Sequence, residues 1–337
     1  MAVTLSEVAR RAGVSLATAS RVLNGSDRTP AAGIADRVKA AAVELGYVAN
    51  AQAQALARSA TRLMGLVVHD IADPYFSTVA RGVQLAAGER GRQVLLASSD
   101  HSPGAELDAV TAFISYRTDA IILAGSRSET ADPALAALLA GYIAGGGRVV
   151  TLGATDVPGA QHLDLANEAG AFELASALIA RGTTRFAILA GPGTLTTARQ
   201  RASGFARALA AAQLAPIAVV EGTFTREGGY DTALECRGLL EQGAGPESAP
   251  LCLLAANDVM ALGAMTAMRS LGLRVPQDVQ IAGFDDIPTL RDHSPSLTTY
   301  RLPLEQIGRL AAELALAEDP QGPIRVDGEV VLRESAG

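Results

Sequence analysis

Eight residues in the body of this chain have the types that grip a hydroxyl-rich solute: Asp70, Tyr75, Phe76, Thr197, Arg201, Phe224, Asn257 and Asp285. Each stands after a short apolar run or opens the helical stretch that follows one, as Asp70 follows LMGLVVH and Asp285 follows VQIAGF. In open α/β sheets, ligands bind beyond the carboxyl ends of the strands. Hydroxyl groups need paired donors and acceptors in a partly dry cleft. Arg201, Asn257 and Asp285 would supply them, with charge-assisted bonds the strongest, and Phe224 with Tyr75 or Phe76 would stack on a ring face. Other readings stay open for single residues: Asp73 and Asp258 each stand beside a helix start as caps, and Arg201 could serve a structural ion pair.

A second constellation lies near the N-terminus, in TLSEVARRAGVSLATASRVLN. Thr4 and Glu7 form a capping box over a first helix that runs through Ala12. Gly13 closes that helix, because glycine enters the left-handed conformation at little cost. Ser15 caps a second helix from Leu16 to about Leu23. Leu5, Val8, Ala12, Val14, Ala19 and Val22 face inward, with small Ala9 where the helices cross. Ser15, Thr18, Ser20 and Arg21 are left outside. This is the helix-turn-helix pattern, whose second helix enters the DNA major groove. A third helix follows, starting near Thr29-Pro30 and ending at Gly46, with Ile34, Val38, Ala41, Ala42 and Leu45 inward.

The elements that must position the first constellation begin at Leu63. Apolar runs (LMGLVVH, QVLLAS, DAIILAG, RVVTLG) alternate with helical stretches at about 75–89, 104–116 and 133–144, the signature of a parallel sheet wrapped by helices. A second set follows: FAILAG, IAVVEG, LCLLAA and VQIAGF, with helices at 168–181, 198–212, 226–241 and 257–271. The expected fold is an all-α head plus two doubly wound α/β lobes. The tail adds LTTY, a helix at 303–317 and a last strand, EVVLRE.

The head, then ELGYVAN and QALA, resembles the lac repressor (LacI/GalR) family, and the resemblance covers nearly the whole chain. It implies a DNA-binding head at 1–46, a hinge helix at 47–61 and a periplasmic-binding-protein-like core at 62–337. Within that core, one lobe would hold about 62–160 and 288–318, the other about 161–287 and 319–337. It implies DNA contacts from Thr4, Ser15, Leu16, Ala17, Thr18, Ser20, Arg21, Asn24, Tyr47, Asn50, Ala53 and Leu56. Leu56 would pry open a base step in the minor groove, unless it only packs between domains. Arg21 could bond a guanine or a phosphate, while Leu16 and Ala17 offer only apolar contact, as to a thymine methyl. Thr4, Ser15, Thr18, Ser20 and Asn24 would position the head on phosphates. The eight residues above match effector-facing positions. One departure is Leu152-Gly153, where sugar-binding relatives often carry an acid; Asp156 or a water would have to substitute. No leucine-rich helix follows the last strand, so the resemblance implies a homodimer on a pseudo-palindromic operator.

Composition agrees. The net charge of −7 is divided unevenly: residues 1–62 carry eight basic and four acidic side chains, so a +4 head sits on a −11 body. That is the balance phosphate contact demands. No run of about 18 uncharged apolar residues occurs and no signal peptide opens the chain, so a cytoplasmic protein is expected. Cys236 and Cys252 lie in apolar segments as packing residues. No GxGxxG joins the first strand to its helix, no GxSxG elbow occurs, and His69, His101, His162 and His293 are scattered. No enzyme, cofactor or metal is expected. The reading is an allosteric repressor controlled by a small molecule, a sugar first. The alternatives are a nucleoside or purine corepressor system, or a solute-binding protein without DNA function.

Overall fold

The computed structural model describes residues 3–24, 32–48, 61–100, 102–126, 132–153, 155, 157–241, 249–317, 319 and 321–336. The chain divides into two compact units, Met1–Arg62 and Leu63–Gly337.

In the first unit, α1 (Leu5–Ala12), α2 (Leu16–Asn24) and α3 (Ala32–Leu45) enclose a core of Val8, Ala9, Ala12, Ala19, Val38, Ala41 and Ala42. The Glu7 carboxylate accepts from both the backbone N–H and the hydroxyl of Thr4, at 2.7 and 2.8 Å. Those bonds hold the Glu7 pKa below its ordinary value. Gly13 takes the left-handed conformation (φ 67°), and the next amide, Val14, donates back to the Ala9 carbonyl at 3.0 Å. The chain can therefore turn sharply between two packed helices, because a Cβ at Gly13 would strain that conformation. The Arg11 guanidinium clasps Glu44 at 2.8 Å and joins α1 to α3.

The second unit is built on two six-stranded sheets. Sheet one contains β1 (Leu63–Val68), β2 (Gln93–Ser98), β3 (Ala120–Leu123), β4 (Arg148–Leu152), β5 (Gln161–Leu165) and β11 (Ile324–Val326), in the order β11-β5-β4-β3-β1-β2. Sheet two contains β6 (Phe186–Ala190), β7 (Ala218–Glu221), β8 (Leu251–Ala255), β9 (Val279–Asp285), β10 (Thr298–Arg301) and β12 (Glu329–Val331), in the order β12-β10-β9-β8-β6-β7. Pairing is parallel throughout, save that β12 runs antiparallel to β10. Wrapping helices are α4 (Pro74–Glu89), α5 (Pro103–Ser115) and α6 (Pro133–Ala144) for sheet one. Sheet two has α7 (Asn167–Ala180), α8 (Thr196–Ala211), α9 (Arg226–Glu235), α10 (Arg237–Glu241) and α11 (Asp258–Ser270). The last helix, α12 (Leu304–Leu316), packs on α4 and so belongs to the first lobe. Central strands such as LCLLA are buried along their whole length, as strands covered on both faces must be.

Two details depart from the sequence reading. The expected helix over 226–241 is broken at Cys236, which caps α9. The lobes also divide elsewhere than at 160/161 and 287/288. β5 and β11 complete sheet one, whereas β10 joins sheet two. The chain crosses between sheets three times: after β5, after β10 and after β11. QHLDL and IRV are short and carry charge, so neither shows the apolar run that marks the other strands.

Helix pairs meet at glycines. A Cβ on Gly82 of α4 would lie 2.0 Å from the Glu305 carbonyl oxygen, and one on Gly308 of α12 would lie 2.1 Å from that of Val79. Gly229 of α9 and Gly263 of α11 make the same mutual approach, at 2.1 Å to Met260 O and 1.9 Å to Arg226 O. Overpacking a well-packed contact costs about 1–3 kcal/mol. Gly82→Ala is therefore expected to cost about 3 kcal/mol in urea unfolding. Gly88→Ala in the same helix, where a Cβ meets nothing within 4 Å, should be neutral or stabilising.

Candidate functional site

The carboxyl ends of the two sheets enclose a cavity of about 520 Å³. All eight body residues singled out by sequence line it: Asp70, Tyr75, Phe76, Thr197, Arg201, Phe224, Asn257 and Asp285. The placement follows from topology, since each stands at or just past the end of a parallel strand or in the loop or helix that strand feeds.

Arg201 anchors the floor. It is 3% exposed, and each of its three guanidinium nitrogens donates a hydrogen bond. One Nη donates to Asp285 Oδ1 at 2.8 Å, the other to the Ala256 carbonyl at 2.8 Å, and Nε donates to Asn167 Oδ1 at 3.0 Å. The guanidinium also lies 4.0 Å from the centroid of the Phe284 ring. Arg201 thus forms the ion pair that sequence left open, with a partner on the same wall. Burial lifts the Asp285 carboxyl to about 6, against the pull of Arg201. Asp285 has a φ of 118°, a left-handed conformation that an aspartate adopts at a cost on the order of 1–3 kcal/mol.

The facing wall comes from sheet one. Asp73 caps α4 by accepting from the Tyr75 amide at 2.9 Å, as the cap reading expected. Burial raises its pKa. Asp70 stays exposed and accepts from the Ala72 amide at 2.8 Å. Tyr75 and Phe76 meet edge to face, their centroids 4.9 Å apart, and burial pushes the Tyr75 hydroxyl pKa up. Phe224 stands on the opposite side, where Gly191 leaves room for its ring: a Cβ there would lie 2.2 Å from Phe224. The two walls touch where the Thr197 amide donates to the Ser126 hydroxyl at 3.3 Å.

Two assignments change. Asn257, not Asp258, caps α11, accepting from the Met260 amide at 2.9 Å. Asp258 is wholly buried instead, accepting from the Ile287 amide at 2.9 Å and the Thr299 hydroxyl at 2.7 Å. In an Asn-Asp pair at a helix start only one side chain can occupy the cap, and composition does not say which. The sequence reading also missed Asn167, which lines the cavity and holds Arg201, because it follows the unrecognised β5. His69 lines the cavity too, packed against Phe76 at 5.6 Å. Gly153 has a φ of 102° and is not among the described lining residues; Asp156 lies outside the described residues.

In the head, Ser15 Oγ accepts from the Thr18 amide at 3.1 Å and shares a hydrogen bond with the Thr18 hydroxyl at 2.9 Å. Leu16 is 51% exposed at the start of α2. Thr4, Ala17 and Arg21 are exposed as well, whereas Ser20 and Tyr47 are half-buried. Asn50, Ala53, Leu56 and the side chain of Asn24 lie outside the described residues.

Known proteins share both units. Residues 4–50 match the model for bacterial regulatory proteins of the lacI family, and residues 175–336 match a periplasmic binding protein-like domain. The transcriptional regulator GalR of Salmonella typhimurium is 36% identical over 320 residues, spanning 93% of this chain and 89% of GalR. The chain belongs to the lacI family of bacterial regulatory proteins. Another member, the transcriptional repressor CytR of Escherichia coli, is 31% identical over 347 residues, covering 99% of this chain and 96% of its own. Among solved members, the lac repressor dimer bound to operator and the anti-inducer ONPF superposes with a TM-score of 0.83 at 28% identity over 99% of both chains. The complex of the regulator CelR with cellobiose gives 0.70 at 29% identity, over 99% of this chain and 100% of that one. As a lacI-family member, the chain is a DNA-binding transcriptional regulator, and no described helix is long and apolar enough to cross a membrane.

Proposed function

We propose that this chain is a homodimeric repressor that binds a pseudo-palindromic operator and is released when a carbohydrate fills the cavity. The ligand is bound, not converted. The observation that carries this is the cavity itself: polar groups on Arg201, Asn257 and Asp285, with the Phe224 ring on their side, face the rings of Tyr75 and Phe76 across space for a mono- or disaccharide. In the head, Leu16, Ala17 and Arg21 read bases, Thr4, Ser15, Thr18, Ser20 and Asn24 hold the backbone, Tyr47, Asn50 and Ala53 add further DNA contacts, and Leu56 wedges the minor groove. The lac repressor carrying operator and anti-inducer, and CelR carrying cellobiose, support both halves. Effector and DNA then favour different states of one equilibrium.

The test is a thermal-shift screen with cellobiose, galactose, ribose, cytidine and hypoxanthine. Each stabilising compound is then added to the protein on a duplex selected from a random pool. A ligand present at about a hundred times its Kd adds about 2.7 kcal/mol to native stability. A sugar is expected to raise the melting temperature and weaken DNA binding. A purine or nucleoside that alone stabilises the protein and tightens DNA binding would overturn the carbohydrate-inducer reading.

A further inference from the structure

Asp286 is the neighbour of the cavity carboxylate Asp285 but is not among the described lining residues. Its side chain, 9% exposed, is gripped from two sides: Arg301 Nε donates to Oδ2 at 2.6 Å, and Arg333 Nη1, which donates to the Leu297 carbonyl, pairs with Oδ1 at 2.7 Å. Both residues of the pair have left-handed backbones, with φ 118° at Asp285 and 55° at Asp286. Such strain persists only where the surroundings over-determine it. The surroundings here are the crossovers between the lobes. Arg301 ends β10, where the chain leaves sheet two for α12. The next amide, Leu302, donates to the Asp285 carbonyl at 3.2 Å. The other end of the Arg301 guanidinium holds Glu329 at 2.7 Å, the first residue after the chain returns from β11.

We infer that Asp286 is a positioning residue: clamped by Arg301 and Arg333, it keeps Asp285 in the strained backbone that aims its carboxylate at Arg201, and it ties that carboxylate to two of the three lobe crossovers. A rotation of the lobes moves Arg301 and Glu329, and through Asp286 it alters the grip on whatever Asp285 and Arg201 hold. Ligand-dependent consequences rest on the cavity being an effector site; the positioning itself does not.

The experiment reads the guanidinium of Arg201 in ¹⁵N spectra of the full chain, assigned with Arg201→Lys. Held by Asp285, Asn167 and the Ala256 carbonyl, the Arg201 Nη groups should give resolved, slowly exchanging signals. Asp286→Ala is expected to abolish them, and Asp286→Asn, which keeps the shape and one acceptor, to restore them in part. Asp164→Ala breaks another ion pair near a crossover, that with Arg325 at 3.1 Å, and is expected to leave the signals unchanged. Should Asp286→Ala fail to fold, Arg333→Met, which removes one of the two grips, is read the same way. Retention of the Arg201 signals in these variants, or their equal loss in Asp164→Ala, overturns the inference. In parallel, cellobiose, galactose and cytidine are titrated into each variant, and about tenfold weaker binding is expected in Asp286→Ala alone. If none binds the wild type, the effector reading above is in difficulty, while the Arg201 signals still decide the role of Asp286.

Discussion

Arg201→Ala is expected to remove about 3–5 kcal/mol of stability at pH 8 and to abolish any ligand response. Breaking a buried pair by deleting one partner strands the other charge away from water, which costs about that much. Here the stranded group is the Asp285 carboxylate, and the Asn167 side-chain oxygen and Ala256 carbonyl lose donors as well. The loss should be smaller at pH 5, because Asp285, already lifted to about 6, escapes the penalty by taking a proton. The check is denaturant unfolding of Arg201→Ala, Asp285→Ala and the double variant at both pH values. The double variant should lose less than the two singles combined, since residues of one network couple by about 0.5–3 kcal/mol. Strict additivity at pH 8 would show that the pair does not act as a unit.

That expectation marks where sequence stopped. The residue types at the strand ends were legible, because an apolar run followed by Asp, Asn or Arg announces a polar group beyond a buried strand. Asp70, Asn257 and Asp285 reached the cavity for that reason, and the other five from the loops and helices those strands feed. That Arg201 and Asp285 spend their charges on each other was not legible: they are 84 residues apart, and the pair forms only when sheet two sets β6, which feeds the helix of Arg201, and β9 on either side of β8. β5 and β11 were hidden because polar residues interrupt them, and with β5 went Asn167. The three described helices of the head were legible, since a capping box, a left-handed glycine and a 3.6-residue apolar period are all local signals; the expected start of the third helix near Thr29-Pro30 and most of the expected hinge helix at 47–61 lie outside the described residues. Gly82 and Gly308 look like weak points in helices to a propensity reading; only the crossing of α4 and α12 turns them into requirements.

Asp258 should give the protein a stability that falls as pH rises from 6 to 8. The carboxyl is wholly buried, and burial lifts its pKa to about 8. The other charges that act on it, Asp285 and Asp286, are acidic and push the same way, while the bonds from Thr299 and Ile287 oppose the shift. A carboxyl whose folded pKa lies above its unfolded value stabilises the fold fully below the unfolded pKa, and loses that contribution as pH climbs through the folded one. Asp285 adds a limb of the same sign that ends near 6. At the acid end the sign reverses. Asp278, held near 2 by Arg274, and Glu168, held low by Arg207, stabilise above their ordinary pKa and lose that contribution as they protonate. Melting temperature should therefore peak near the ordinary carboxylate pKa, at about pH 4. Asp258→Asn is neutral at every pH; its carbonyl can accept from Ile287, and its amide can donate to the Thr299 hydroxyl once that group turns. Set equal to wild type at about pH 4, the variant should keep the Asp285 limb and lose the Asp258 limb, which runs from there to about 8. Between pH 6 and 8, wild type should shed about 2 kcal/mol more than the variant, given about 1.4 kcal/mol per pKa unit. Parallel pH profiles in denaturant unfolding would instead place Asp258 as an ordinary ionised carboxylate, stabilised by Thr299 and the Ile287 amide.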